Sequence, residues 1–194
     1  MDYSIRTIRA DEWEQVRELR LAALQDPVAH LAFLETHEEA AARPDSFWQE
    51  RTVNSSEDGA GDVRQFVAEA PDGRWVGTAT VLVERAAAET FFGDVPVVEQ
   101  THVVGVFVRD EARGSGVIDA LFEASAEWSW ALEQRVERVR LYVNGENVRA
   151  QAAYRRLGFA DTGVRVALHG SEVAQELEYE LLRPAGWVRA SVAE

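Results

Sequence analysis

The stretch His102-Val-Val-Gly-Val-Phe-Val108-Arg-Asp-Glu-Ala-Arg113-Gly-Ser-Gly-Val-Ile118 decides the fold. Its first part is a β-branched run that reads as a buried strand, its middle is a glycine-bearing turn, and an apolar pattern of helical period starts at Ile118. A strand, a tight loop and a helix start make an anion site. The first turn of a helix leaves backbone N–H groups unpaired at the positive end of the dipole, and glycines let a phosphate come close to them. Arg113 adds a permanent cation at the mouth of the loop. A P-loop is excluded because no Lys-Ser/Thr follows the glycines, and a dinucleotide fingerprint is excluded because Asp119 stands where its third glycine belongs. On this stretch alone, anion binding and a plain strand-to-helix turn are equally good readings.

A second stretch separates them. Asn147-Val-Arg-Ala150-Gln-Ala-Ala-Tyr154-Arg-Arg-Leu-Gly158-Phe159 follows a short strand, Val139 to Val143, and reads as a helix stopped by glycine. Together the two stretches resemble the GCN5-related N-acetyltransferase (GNAT) family, whose pattern is Arg/Gln-x-x-Gly-x-Gly/Ala and then Asn-x-x-Ala-x-x-x-Tyr with Gly-Phe. Arg113, Gly116, Asn147, Ala150, Tyr154, Gly158 and Phe159 fall on it. Ile118 departs, standing where the family keeps glycine or alanine near the pyrophosphate, and Asp119 places a carboxylate beside that phosphate.

The resemblance implies an acetyl-CoA-dependent N-acetyltransferase acting on a primary amine in a ternary complex, with acetyl-CoA as co-substrate. It places the cofactor on Val106, Phe107 and Val108, on the loop Arg113, Gly114, Ser115, Gly116, Val117 and Ile118, and on Asn147 and Tyr154. Tyr154 takes the family's role of acid for the leaving thiolate. His102, six residues before the end of its strand, occupies a position where family bases occur. Glu99, Glu84 and Glu69 are lesser candidates. A bulge at Gly105 would free a backbone donor near Val106 for the thioester carbonyl. The rival reading is a catalytically silent acyl-CoA-binding sensor, which Ile118 keeps open.

Composition bounds the rest. The chain has 194 residues, 46% of them hydrophobic, enough for one domain with a sizeable core. It contains no cysteine, so disulfides, thiolate metal sites and cysteinyl acyl-enzymes are excluded, and its four histidines lack ligand spacing, so no metal is expected. A formal charge of −14 opposes nucleic acid and anionic membrane alike. Simple solubility explains that acidity. Attraction of a small basic amine, read by Glu35, Glu38, Glu39 and Asp45, is the functional alternative. No apolar run spans a bilayer, and a cytoplasmic protein is expected. Six tryptophans would serve either a homodimer surface or a core.

In element order the chain reads strand (3–9), helix from Asp11, helix (29–42), short helix (48–51), hairpin (65–84), connection (86–97), the central strand, helix, strand, helix and a final hairpin turning at His169 to Glu172. On the helix after the loop, Ile118, Leu121, Phe122, Ser125, Trp128 and Leu132 form the expected core stripe. This predicts an α/β (α+β) fold. The resemblance makes it a mixed, mostly antiparallel sheet whose parallel strand pair splays at the acyl-CoA cleft, in a single domain over residues 1–182 with a tail from 183 to 194.

Overall fold

The computed structural model describes residues 3–167 and 175–188. Seven strands form one sheet in the order β1-β2-β3-β4-β5-β7-β6. They are β1 (Ser4–Thr7), β2 (Val63–Glu69), β3 (Trp75–Glu84), β4 (Gln100–Val108), β5 (Arg138–Asn144), β6 (Ala160–Ala167) and β7 (Gln175–Leu182). Every neighbouring pair is antiparallel except β4 and β5. The five helices are α1 (Trp13–Leu24), α2 (His37–Ala41), α3 (Asp45–Ser55), α4 (Val117–Ala131) and α5 (Val148–Arg156).

Seven consecutive residues of β3, Trp75 to Val81, are buried, as expected of a strand covered on both faces. On one face α4 closes a core of Val103, Leu121, Phe122, Leu141 and Tyr179. On the other, α1 and α3 close a second core around Val16, Leu19, Trp48, Val67 and Trp75. Gly77 is where α4 comes closest, since a Cβ there would lie 2.9 Å from Val117 Cγ1. All six tryptophans pack on these two cores: Trp48, Trp75 and Trp130 are buried in them, and Trp13, Trp128 and Trp187 lie against them. Arg183 stacks over both Trp130 and Trp187, so the start of the expected tail is docked. Residues 189–194 and the turn at His169 lie outside the described residues.

Three elements differ from expectation for identifiable reasons. The single helix expected over 29–42 is a 3-10 turn at Ala29–Leu31 followed by the separate α2. Thr36 starts that helix with a capping box, its hydroxyl accepting from Glu39 N–H while the Glu39 carboxylate accepts from Thr36 N–H at 2.8 Å. The short helix expected over 48–51 runs from Asp45 to Ser55, directly after Pro44, and buries Thr52 and Ser55 by bonding their hydroxyls back to Trp48 and Arg51 carbonyls. In α4 the fully buried positions are Val117, Leu121, Phe122, Ser125, Ser129 and Trp130, while Ile118, Trp128 and Leu132 of the expected stripe are partly buried against the same core. The left-handed Gly116 N-cap, φ +89°, begins the helix at Val117 and turns Ile118 toward the cleft described next.

Candidate active site

Strands β4 and β5 pair only from Gln100 to His102 against Arg138 to Arg140. Beyond His102 they part, because β5 stays paired with β7 to Asn144 while β4 bulges. Thr78 faces Phe107 and Thr80 faces Val104, so Gly105 and Val106 together stand opposite Ala79 alone. Gly105, at φ +63°, adopts the left-handed backbone such a bulge requires. The parting opens a cleft of about 320 Å³. Val106, Phe107 and Val108 form one wall, α5 with Asn147, Ala150 and Tyr154 the second, and the segment after α1, including Asp26 and Phe33, the third.

The glycine loop closes the cleft where β4 meets α4. Gly114 and Gly116 have φ of +77° and +89°, and a Cβ on either would meet nothing within 4 Å, so glycine is needed for backbone conformation alone. Their open surroundings leave room for a phosphate against the N–H groups at the helix start. Arg113, Arg149 and Arg156 bring three cations to the cleft lining. Asp119, whose charge alone would repel a phosphate, is ion-paired with Arg156. This donor set suits a polyphosphate such as that of CoA, and the apolar Val106 to Val108 wall suits its pantetheine arm. Ile118 lines the same cleft, so its bulk is felt there.

Asp26 faces Arg113 across the cleft mouth and pairs with it, while Arg113 also holds Asp110 at 2.8 Å. Burial works against ionisation of Asp26. The Val28 N–H, Arg113 and Arg149 outweigh it and hold its pKa below the usual carboxylate range. A polyphosphate therefore competes with a carboxylate for Arg113. Asp26→Asn keeps the acceptor for Val28 N–H and removes the charge, so titration should show acetyl-CoA binding tightened by about threefold to tenfold. Unchanged or weaker binding would mean that Arg113 does not meet the phosphates.

Tyr154 is 9% exposed, packs against Phe122 with ring centroids 5.4 Å apart, and lines the cleft. Burial, helped by Glu176, raises its pKa well above that of a free phenol, so it keeps its proton at neutral pH. Asn147 caps α5, its Oδ1 accepting from Ala150 N–H at 3.1 Å, and its residue still lines the cleft.

His102 sits at the last paired position before the strands part, 2% exposed, and is not part of the cleft lining. Its Nδ1 lies 3.0 Å from Glu84 Oε1. Burial opposes the charge on Glu84, but bonds from His102, Arg140 and Gln100 overcome this and bring its pKa down to about 2. An ionised carboxylate can only accept, so Nδ1 carries the proton and Nε2 of the neutral ring keeps its lone pair. Burial also pushes the His102 pKa down, more than Glu84 raises it. Of the lesser carboxylates, Glu99 accepts from Ala86 N–H and Glu69 pairs with Arg6.

Arg140, missed in the sequence, is the centre of this region. It is completely buried, with Nε 2.7 Å from Glu84 and Nη1 3.2 Å from Glu178, and it donates to the carbonyls of Phe92 and Asp94. It thereby ties the 86–97 connection to β5. Phe92 packs edge-on against Tyr142 at 5.0 Å, whereas Phe91 is 80% exposed.

Three of the four carboxylates expected to read a cationic acceptor have partners within the protein. Glu35 is shared by Arg20 and Arg43, Asp45 pairs with Arg17, and Glu39 caps α2. Glu38, in the first turn of α2, is exposed. Among the described residues no cluster of three or more His, Asp or Glu could hold a metal, and no helix is long and apolar enough to cross a membrane.

A strand pair that splays around a bulge, facing a glycine loop at a helix start, is the architecture of an acyl-CoA-binding acetyltransferase. The chain belongs to the acetyltransferase (GNAT) family, whose sequence model matches residues 13–159. The mycothiol acetyltransferase of Saccharomonospora viridis is 42% identical over 105 residues, covering 53% of this chain and 32% of that protein. The match thus spans about a third of the relative's length. Among solved structures, the phosphinothricin acetyltransferase of Sinorhizobium meliloti in complex with AcCoA superposes with a TM-score of 0.67 at 18% identity, over 99% of this chain and 95% of that one. Arabidopsis thaliana NAA60 in complex with a bisubstrate analogue gives 0.63 at 19% identity, over 93% and 98%. At these identities the structural likeness establishes the fold.

Proposed function

We propose that this chain is a cytoplasmic acetyl-CoA-dependent N-acetyltransferase that moves the acetyl group directly to a primary amine of a small molecule. The observation that carries the reading is Tyr154, a protonated phenol in the same cleft as the β4 bulge and the glycine loop. The amine nitrogen attacks the thioester carbonyl, the C–N bond forms, and the C–S bond breaks. Tyr154 protonates the departing CoA thiolate. The nitrogen's surplus proton leaves to a base, and the resulting tyrosinate is reprotonated from solvent.

His102 is assigned as that base. Its neutral state and free Nε2 lone pair suit it to accept a proton at neutral pH, and Glu84 fixes the tautomer. It is the last residue of β4 paired with β5, where the two strands begin to part. His102→Gln should lower kcat near pH 7 by about tenfold to a hundredfold. The deficit should shrink as pH rises and the amine deprotonates unaided. A deficit constant across pH would remove the base assignment.

The whole reading is tested by thiol release from acetyl-CoA with a panel of amines, with acetylated amine quantified in parallel. Equal amounts of thiol and acetylated product are expected. Tight acetyl-CoA binding without product from any amine would favour the silent sensor, the rival that Ile118 in the cleft keeps open.

A further inference from the structure

We infer that the accepted amine carries an acidic group, and that a cluster of arginines on α1, α3 and the segment before α3 receives it. This rests on the acetyltransferase reading above. Arg20 Nη2 and Arg43 Nε approach the single carboxylate of Glu35 at 3.2 and 3.5 Å. Arg51, on α3, is a third cation beside them. Among the described residues no carboxylate is within ion-pair distance of Arg51. Arg17 reaches Asp45 only at 3.6 Å, and its buried Nε has no hydrogen-bond partner. Four guanidiniums are thus matched by two paired carboxylates in a chain whose net charge is −14.

In a protein this acidic, average composition does not favour gathering four arginines. Solvation alone does not favour the arrangement either. Arg51 is exposed, and desolvation by the surrounding protein with repulsion from Arg20 and Arg43 outweighs the attraction of Glu35 and holds its pKa below the usual arginine value. An anion reaching the cluster would relieve the repulsion and meet donors in the planar fork that suits carboxylate, phosphonate or phosphate groups.

The cluster is linked to the cleft through one ring. Arg20 Cζ lies 4.4 Å from the centroid of Phe33, and Phe33 lines the cleft wall. An acceptor could therefore direct its amine at the thioester and its acidic end past Phe33 toward the arginines. The same layout disfavours a diamine, whose second cation would be repelled.

The test compares aliphatic α- and ω-amino acids with their carboxamides and with the matching diamines, using thiol release by the full chain. The acids should be acetylated with kcat/KM at least about tenfold above their amides, and diamines should be poorest. Arg51→Gln, at an exposed position, should raise KM for the acid about tenfold and collapse the acid-to-amide ratio. Equal kcat/KM across the series, a preference for diamines, or a ratio retained in Arg51→Gln would overturn the inference while leaving an amine acetyltransferase in place. Absence of thiol release with amines of every charge would overturn both.

Discussion

Tyr154→Phe should lower kcat for acetyl transfer by about 10²- to 10⁴-fold, the span associated with loss of a positioned general acid. The substitution removes one oxygen and keeps the ring, so the contacts with Phe122 and Phe159 persist. Binding of acetyl-CoA, which depends on the glycine loop and its arginines, should be nearly unchanged. The effect is large because no other side chain with an available proton is assigned to the sulfur. Water replacing the phenol would have to enter a narrow cleft between β4 and α5. Single-turnover measurements separate the chemical step from product release, and the loss should appear in the former. A kcat within about twofold of the parent would remove Tyr154 as the acid.

Arg140→Met should destabilise the fold by about 3–5 kcal/mol, the cost typical of stranding a buried charge. Arg140 is enclosed between Glu84 and Glu178, both ionised and both buried, and its guanidinium holds the Phe92 and Asp94 carbonyls. Methionine fills much of the volume and compensates neither carboxylate. Urea unfolding should register the loss as a lower midpoint. The triple change Arg140→Met, Glu84→Gln, Glu178→Gln should recover part of it, because no uncompensated charge then remains. A single variant as stable as the parent would show that the network does not depend on its central cation.

Glu84 gives the same network a pH dependence. Its folded pKa, about 2, lies below the ordinary 4.5, so the folded state binds fewer protons between those values. Its contribution to stability is therefore complete above about pH 4.5 and is lost as pH falls toward 2.

The parts of this molecule that could be read from the sequence are those set by neighbours along the chain. The glycine-bearing turn after β4, the helix that follows it and the helix ended by Gly158 each depend on residues within one turn or helix. Tyr154, taken from the family motif, lines the cleft. Local signals also misled where a second one was overlooked. Thr36 and Glu39 form a capping box that breaks the segment expected as one helix, and Gly116 starts α4 at Val117, one residue before the expected Ile118.

What could not be read depends on residues far apart. His102 was visible as a candidate, but Glu84 is 18 positions away and Glu178 is 38 from Arg140. Only the strand order joins them. β7 enters between β5 and β6, an arrangement no turn signal reports, and this is what brings Glu178 to Arg140. Glu35 looked like a cation reader because Arg20, 15 positions earlier, could not be seen to hold it. Asp26 and Arg113, 87 positions apart, face one another only once the cleft exists.

The most direct measurement is isothermal titration of the purified chain with acetyl-CoA beside free CoA, followed by thiol release in the same sample on addition of the amine panel. Binding on the order of micromolar, with one thiol freed per amine acetylated, is the predicted result. No detectable heat with either ligand would show that Ile118 closes the phosphate cradle, and would contradict the proposed activity while leaving the fold as described.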